Sequence, residues 1–385
     1  MAGIAAKRGR RRLLVLTAVA LGLVASAPAQ AAASGSTGDG RVTPRIVGGD
    51  LAGAGSWPSI AFVEVEDPPG SFSRCGGTLI DSRWILTAAH CVVGSPTSVS
   101  ALLGSNSLDA PLPAGYEVRE ATKIQVHPNY ASSNDANDLA LLKLSTASAK
   151  PVMRIAKPVE SANFSAGDAA KVAGWGTTCF DDAINCPVQA NLREVELHID
   201  DRATCAAAYA GAGVTLPANV ICASDLGQDS CQGDSGGPLA VNTASGRALV
   251  GIVSSGVGCA DPSYPGVYTN ATAYRAWIGK YVVDAATGPA SYGFGKVKKR
   301  RTKTTTVTFT NPKTLPATVS GKSISGSSNF TIASSTCGAS LEGKASCTVT
   351  VSFKPTRIRS YSANLLLKGA FGTLKSVALS GRGKK

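Results

Sequence analysis

Between Ile46 and about Asn270 the sequence is cut into short β-forming runs by Gly, Pro, Asn and Ser, and this punctuation dominates any reading of the fold. Runs such as 59–66, 77–80, 84–87, 117–126, 139–144, 171–175, 192–199, 249–254 and 266–269 are each about as long as one strand. Many short strands with turn signals between them predict antiparallel barrels or sandwiches. Two stretches depart from the rhythm. Residues 201–210 have an acidic start and an Ala-rich body, and 272–283 set Tyr274, Trp277, Ile278 and Tyr281 at the three- and four-residue spacings of a helical face. With 44% hydrophobic residues, 42 Gly and 20 Pro, the chain is too apolar for bulk disorder and too interrupted for an all-helical fold or a coiled coil.

The net charge of +13 is unevenly placed. Residues 1–33 hold 5 Lys and Arg with no acid, residues 34–289 hold 16 against 24 acids, and residues 290–385 hold 17 against 1. An acidic body therefore carries a strongly basic tail. In the first segment, Lys7, Arg8 and Arg10–Arg12 precede an apolar run over 13–25, and small residues follow to Ala33. That is the pattern of a secretory signal peptide over 1–33, and the run is shorter than a bilayer span requires. The expected destination is extracellular. There, the even set of 10 cysteines predicts disulfides, and with only His90, His127 and His198 in the chain no metal site and no cofactor are expected. His127 and His198 read as surface residues.

After Val283 the composition changes. Gly288, Pro289, Gly293 and Gly295 lead into the basic run 296–303, so 285–303 reads as a basic, Gly-containing linker. Residues 304–385 are again strand-like, over 304–310, 346–353, 361–367 and 374–379, and predict a second, smaller β-sandwich. Cys337 and Cys347 are close enough in sequence to close one loop within it.

Four motifs occur in order: Ile46-Val47-Gly48-Gly49 after Arg45, Thr87-Ala88-Ala89-His90-Cys91, Asn137-Asp138-Leu139-Ala140, and Asp229-Ser230-Cys231-Gln232-Gly233-Asp234-Ser235-Gly236-Gly237-Pro238. Together they resemble the trypsin/chymotrypsin-type serine proteases, over about 46–284. The resemblance implies two antiparallel six-stranded β-barrels with a C-terminal helix, and an endopeptidase whose triad is His90, Asp138 and Ser235. A serine hydroxyl is a poor nucleophile without a base to take its proton, and a histidine near its ordinary value of about 6.5 accepts and returns a proton at neutral pH. Asp138 would orient and stabilise the imidazolium. The backbone N–H groups of Gly233 and Ser235 would form the oxyanion hole.

The same resemblance places Asp229 at the base of the primary pocket, with Ser254 beside it and Gly256 and Gly266 on its walls. A carboxylate enclosed there pairs with Arg or Lys, so peptide substrates with Arg or Lys at the cleavage site are expected, rather than the aromatic residues of a chymotrypsin-like site. Ser255 stands where the family usually has Trp, which removes apolar surface beside the pocket and puts preference upstream of the cleaved bond in question. Ser105 falls near where calcium-binding members have a carboxylate, so calcium is not expected. Residues 34–45 resemble an activation peptide. Cleavage after Arg45 would free an α-ammonium at Ile46 to pair with Asp234, making the chain a zymogen. The implied disulfides are Cys75–Cys91, Cys205–Cys222 and Cys231–Cys259, while Cys179 and Cys186 would close an additional surface loop.

The tail weakly resembles the immunoglobulin-like modules of secreted bacterial proteins, through Phe330-Thr331-Ile332, Cys337-Gly338, 345–355 and Leu379-Ser380-Gly381. Its charge suits a polyanionic surface or polymer, with no membrane insertion after signal removal. Lys298-Lys299-Arg300-Arg301 matches the expected specificity, so self-cleavage there would release the tail. The alternative to an enzyme is a catalytically weak binding protein on a protease scaffold.

Overall fold

Alternation of inward apolar and outward polar residues builds strands such as Ile60–Glu66, where Ile60, Ala61, Val63 and Val65 are buried while Glu64 and Glu66 lie outside the core. A computed structural model of the chain describes residues 46–178 and 188–385. After the short β1 (Asp50–Leu51), strands β2 (Ile60–Glu66), β3 (Phe72–Asp81), β4 (Trp84–Thr87), β5 (Ser98–Leu103), β6 (Glu117–Val126) and β7 (Ala140–Leu144) close a barrel in the order β2-β3-β4-β7-β6-β5. A second set, β8 (Ala169–Gly174), β9 (Arg193–Ile199), β10 (Val220–Ser224), β11 (Pro238–Thr243), β12 (Gly246–Ser255) and β13 (Gly266–Asn270), runs β9-β10-β13-β12-β11-β8. The ring closes because β8 also pairs with β9, from Ala169 opposite His198 to Gly174 opposite Arg193. Closure leaves neither barrel with a free edge of unpaired backbone.

The two helical stretches appear as α1 (Arg202–Gly211) and α2 (Arg275–Val282). Asp201 caps α1 by accepting from the N–H groups of Ala203 and Thr204, which satisfies donors a helix start would otherwise leave open. His127 is more than a surface residue: its ring lies 5.2 Å from that of Tyr274 and 4.9 Å from that of Trp277, so it helps seat α2 on the first barrel.

The tail is a two-sheet sandwich. Strands β14 (Ser291–Lys298), β15 (Lys303–Thr310), β16 (Ala317–Gly326), β17 (Phe330–Ser335), β18 (Ser340–Leu341), β19 (Ser346–Phe353), β20 (Ser360–Gly369) and β21 (Gly372–Lys384) form one sheet ordered β14-β21-β20-β16-β18 and another ordered β15-β19-β17. Their inner faces meet on Phe294, Phe309, Phe330 and Phe353, with the last two rings stacked 4.6 Å apart.

The stretch read as a linker therefore contains a strand. β14 pairs in parallel with β21, and its Phe294 and Val297 are buried in the sandwich. Lys298-Lys299-Arg300-Arg301 is the turn that follows. Its backbone is tied by Lys299 N–H to Lys384 O at 2.9 Å, Arg300 N–H to Pro355 O at 2.8 Å and Arg301 N–H to Lys298 O at 3.0 Å. A segment pinned in a turn, with Arg300 at φ +62°, is not offered in the extended form a protease cleft takes, which argues against self-cleavage there.

The sandwich is docked onto the barrels rather than tethered to them. Arg275, 5% exposed, donates to Ile155 O at 2.6 Å and Ala156 O at 3.2 Å on one side and to Thr314 O of the tail at 3.0 Å on the other. Gly279 admits the tail closely, since a Cβ there would stand 2.1 Å from Pro316 O. An ion pair of Lys313 with Asp81 and the Tyr281–Phe371 ring contact at 5.2 Å complete the seam.

Candidate active site

Where the two barrels meet, three chain segments converge. The first follows β4: Ala88 and Ala89 are fully buried, and a Cys75–Cys91 disulfide anchors the residue after His90 to β3. The second precedes β7. Asn137, at φ +57°, turns the chain there, its side chain donating to Asn129 O at 2.8 Å and accepting from the Tyr274 hydroxyl at 2.9 Å. That turn delivers Asp138 into the interior, where it is 0% exposed.

Burial of a carboxylate is costly unless donors surround it, and Asp138 has three. Its Oδ1 accepts from the His90 backbone N–H at 2.9 Å, while Oδ2 is 2.8 Å from His90 Nδ1 and accepts from the Ser254 hydroxyl at 2.6 Å. Burial alone would raise the Asp138 carboxyl, but the bonds with His90 and Ser254 overcome it and hold the group below the usual carboxylate range. For His90 burial works downward, and the bond to Asp138 with the charges of Asp138 and Asp135 outweighs it, leaving the imidazole above 6.5. With Nδ1 turned to Asp138, Nε2 is the ring nitrogen left to act.

The third segment is the turn before β11. Ser235 O accepts from Gly76 N–H at 2.7 Å, which fixes the serine against β3. Gly233 and Gly236 have φ of +96° and +81°, a region that costs any residue with a Cβ. At Gly236 a Cβ would also stand 2.2 Å from Thr87 Oγ1, so the turn needs glycine twice over.

Ser235 opens onto a narrow cavity of about 60 Å³ whose lining includes Asp229, Ser230, Ser254, Ser255, Gly256 and Gly266. Asp229 is 4% exposed and accepts from Ser230 N–H at 2.8 Å and Ala260 N–H at 3.0 Å. Burial, only partly offset by those bonds, pushes its carboxyl up to about 6. A Cβ on Gly266 would stand 2.6 Å from Asp229 Oδ1 and close the cavity over the acid. On the other wall, a Cβ on Gly256 would meet nothing nearer than Gly258 O at 3.6 Å. Cys231–Cys259 braces this region, and Cys205–Cys222 and Cys337–Cys347 are bonded elsewhere. Asp234 beside Ser235 is fully buried.

The sequence-derived residues His90, Asp138, Ser235, Gly233, Asp229, Ser254, Gly256 and Gly266 thus lie around one cleft. Arg45, Cys179 and Cys186 fall outside the described residues. Asp135 and Tyr130 were not anticipated: the Tyr130 and Ser255 side chains lie near the Asp135 carboxyl, whose charge reaches His90. Among the described residues the one grouping with metal-ligand spacing is Cys75, His90 and Cys91, and its two sulfurs form a disulfide that leaves no thiolate to bind an ion. No helix among the described residues is long and apolar enough to cross a membrane.

Comparison with known proteins agrees with this geometry. The family model described as "Trypsin" matches residues 46–278, and the model described as "Abnormal spindle-like microcephaly-assoc'd, ASPM-SPD-2-Hydin" matches 280–366, which takes in most of the sandwich. The chain is 39% identical over 234 residues to "Trypsin alpha-4" of Lucilia cuprina, covering 61% of this chain and 86% of that one. To the mouse "Tryptase" it is 35% identical over 251 residues, covering 62% and 88%. Among solved structures, the secreted serine protease VesC from Vibrio cholerae shares the fold with a TM-score of 0.52 at 23% identity, across 87% of this chain and 71% of that one.

Proposed function

The chain belongs to the trypsin family of serine endopeptidases, and from that premise we propose a secreted enzyme, made as a zymogen, that hydrolyses peptide bonds after Arg or Lys. Ser235 attacks the substrate carbonyl as His90 Nε2 takes its proton, and Asp138 stabilises the imidazolium. The N–H groups of Gly233 and Ser235 hold the oxyanion. The imidazolium then returns the proton to the leaving amine, and water drawn by the same base releases the acyl group. The observation that carries the reading is the buried carboxylate of Asp229 in the lining of a cavity that Ser235 also lines. An arginyl or lysyl side chain brings it a cation; an aromatic one leaves it desolvated and unpaired.

The test compares matched arginyl and phenylalanyl peptide amides with enzyme whose N-terminus is Ile46. The expected preference for arginine in kcat/KM is about 10³-fold or more, since a site built for one polar partner rejects a substrate lacking it by large factors. Equal rates would overturn the assignment.

For the tail we propose attachment to an anionic surface or polymer. What supports it is the clustering of charge at one end of the sandwich. The Lys298–Arg301 turn lies against the 355–359 loop and the end of β21, gathering Lys298, Arg300, Arg301, Arg357, Arg359 and Lys384, whereas the tail's single acid, Glu342, lies beside β18. Arg300, Arg301, Arg357 and Arg359 changed together to Ser should abolish retention of the Ser235→Ala protein on immobilised polyphosphate in 0.15 M salt. Retention at an unchanged salt concentration would exclude this patch.

A further inference from the structure

One helix links the loop that carries Asp138 to the tail. Tyr274, buried immediately before α2, donates its hydroxyl to Asn137 Oδ1 at 2.9 Å, and Asn137 is the residue that turns Asp138 into the interior. The other end of the same loop is held as well. The His127 ring packs on Tyr274 and Trp277, and His127 N–H donates to Leu139 O at 3.1 Å. The 127–139 loop therefore takes its position from α2.

The helix in turn is gripped from both bodies through Arg275. Its Nη1 donates to Ile155 O and Ala156 O in the segment that joins the two barrels, and that segment is pinned to β12 by Ala156 N–H to Leu249 O at 3.0 Å and Leu249 N–H to Arg154 O at 2.9 Å. Its Nη2 donates to Thr314 O of the tail. Thr314 lies between β15 and β16, beside the fully buried Asn311, whose amide donates to Leu315 O at 2.8 Å and Leu341 O at 3.0 Å. A planar guanidinium can hold acceptors in two directions at once, which the point charge of a lysine cannot. The chain leaves little slack either: α2 ends at Val282, and by Ala286 the backbone is already bonded to the tail, its N–H donating to Leu374 O at 3.0 Å.

We propose that Arg275 is a positioning residue: it locks α2 between the barrels and the tail, and through Tyr274 and Asn137 that lock sets Asp138 against His90, so the sandwich is a working part of the protease. The inference rests on the triad reading of His90, Asp138 and Ser235. Asp138 acts through bonds of 2.6 to 2.9 Å, which a small shift of the Asn137 turn would lengthen. Misplacing a reacting group by about 1 Å can cost on the order of 10²-fold in rate. The Asp229 cavity is built from the β10–β11 and β12–β13 connections and is not held by this contact, so substrate binding should change little. Loss of the tail to another protease would then lower activity rather than release a free enzyme.

The test uses the full chain beginning at Ile46 on an arginyl amide, with the fold of each variant checked by near-ultraviolet circular dichroism. Arg275→Met removes the donors and keeps an unbranched stem; kcat should fall about tenfold while KM stays within about twofold. Gly279→Ala leaves Arg275 in place and sets a Cβ against Pro316 O, so it should lower kcat in the same way by pushing the tail off α2. Alanine favours a helix more than glycine does, so that loss could not be charged to a weaker α2. Tyr274→Phe should also lower kcat, and the Arg275→Met/Tyr274→Phe double variant should lose no more than the worse single one, because both act through one contact. A kcat within about twofold of the unaltered enzyme in folded Arg275→Met and Gly279→Ala would overturn the inference. So would losses that multiply in the double variant, or a loss confined to KM. An unaltered enzyme that turned over no arginyl amide would instead remove the triad reading.

Discussion

Asp138→Asn should lower kcat on an arginyl amide by about 10⁴-fold, the loss known for this substitution in this kind of triad, while the protein stays folded. The donor pattern explains why so small a change costs so much. If the amide oxygen stays opposite the His90 backbone N–H, its NH₂ faces Nδ1 and the Ser254 hydroxyl. Nδ1 must then accept, so Nε2 carries the proton and can no longer take one from Ser235. If the amide is turned over, its NH₂ meets the His90 backbone N–H, and two buried donors confront each other at a distance now held at 2.9 Å. That clash disfavours the second arrangement, so the first prevails and the base is lost. The pH profile gives a second readout: His90 acts only when neutral and its value lies above 6.5, so the acid limb of kcat/KM in the native enzyme should have its midpoint above 6.5. A loss under tenfold, or an acid limb centred below 6, would contradict the geometry.

The parts of this molecule that could be read from the sequence are those whose signal is local. Strands such as β2 alternate residue by residue, and the motif around Ser235 sits in a turn whose glycines are required by the turn itself. The tail's first strand was missed because its signal is weak. Only Phe294 and Val297 of β14 are buried, its glycines read as a linker, and it is completed by parallel pairing with β21 at the other end of the tail sequence. Arg275 was opaque for a related reason: an arginine on an amphipathic helix looks solvated until the fold brings Ile155 and Thr314 around it. Asp135, in a loop with Asn134 and Asn137, likewise reads as a surface acid. Only closure of the two barrels carries Ser255 to it.

On the proposed zymogen reading, cleavage that exposes Ile46 should raise activity by about 10²–10³-fold or more, and Asp234→Asn should remove that gain, because the residue whose charge activation would satisfy adjoins the nucleophile. Loss of a single oxyanion-hole donor already costs about that factor, and Gly233 and Ser235 flank Asp234. The Asp234 carboxyl is fully buried, with two backbone donors, Gly176 at 2.8 Å and Cys231 at 2.9 Å. Gly174 and Gly176 make room for it, since a Cβ on either would stand within 2.4 Å of a carboxylate oxygen. Ile46 and Val47 are fully buried too, and Val47 O accepts from Asp229 N–H at 3.0 Å, so the new terminus is coupled to the floor of the specificity cavity. Without a cation, burial raises Asp234 from 3.8 to about 7. A folded value above the unfolded one means that the folded state holds the proton more tightly. Its stabilising contribution is therefore complete below 3.8, declines between 3.8 and about 7, and is lost above. An ammonium at Ile46 reverses this, drawing Asp234 down and itself rising above the ordinary α-amino range of about 7.7–8.0. In a Ser235→Ala background, the Tm of the cleaved chain should exceed that of the uncleaved chain by a margin that widens from pH 5 to pH 8. A margin that stayed constant across that range would mean that the pair with Asp234 does not form.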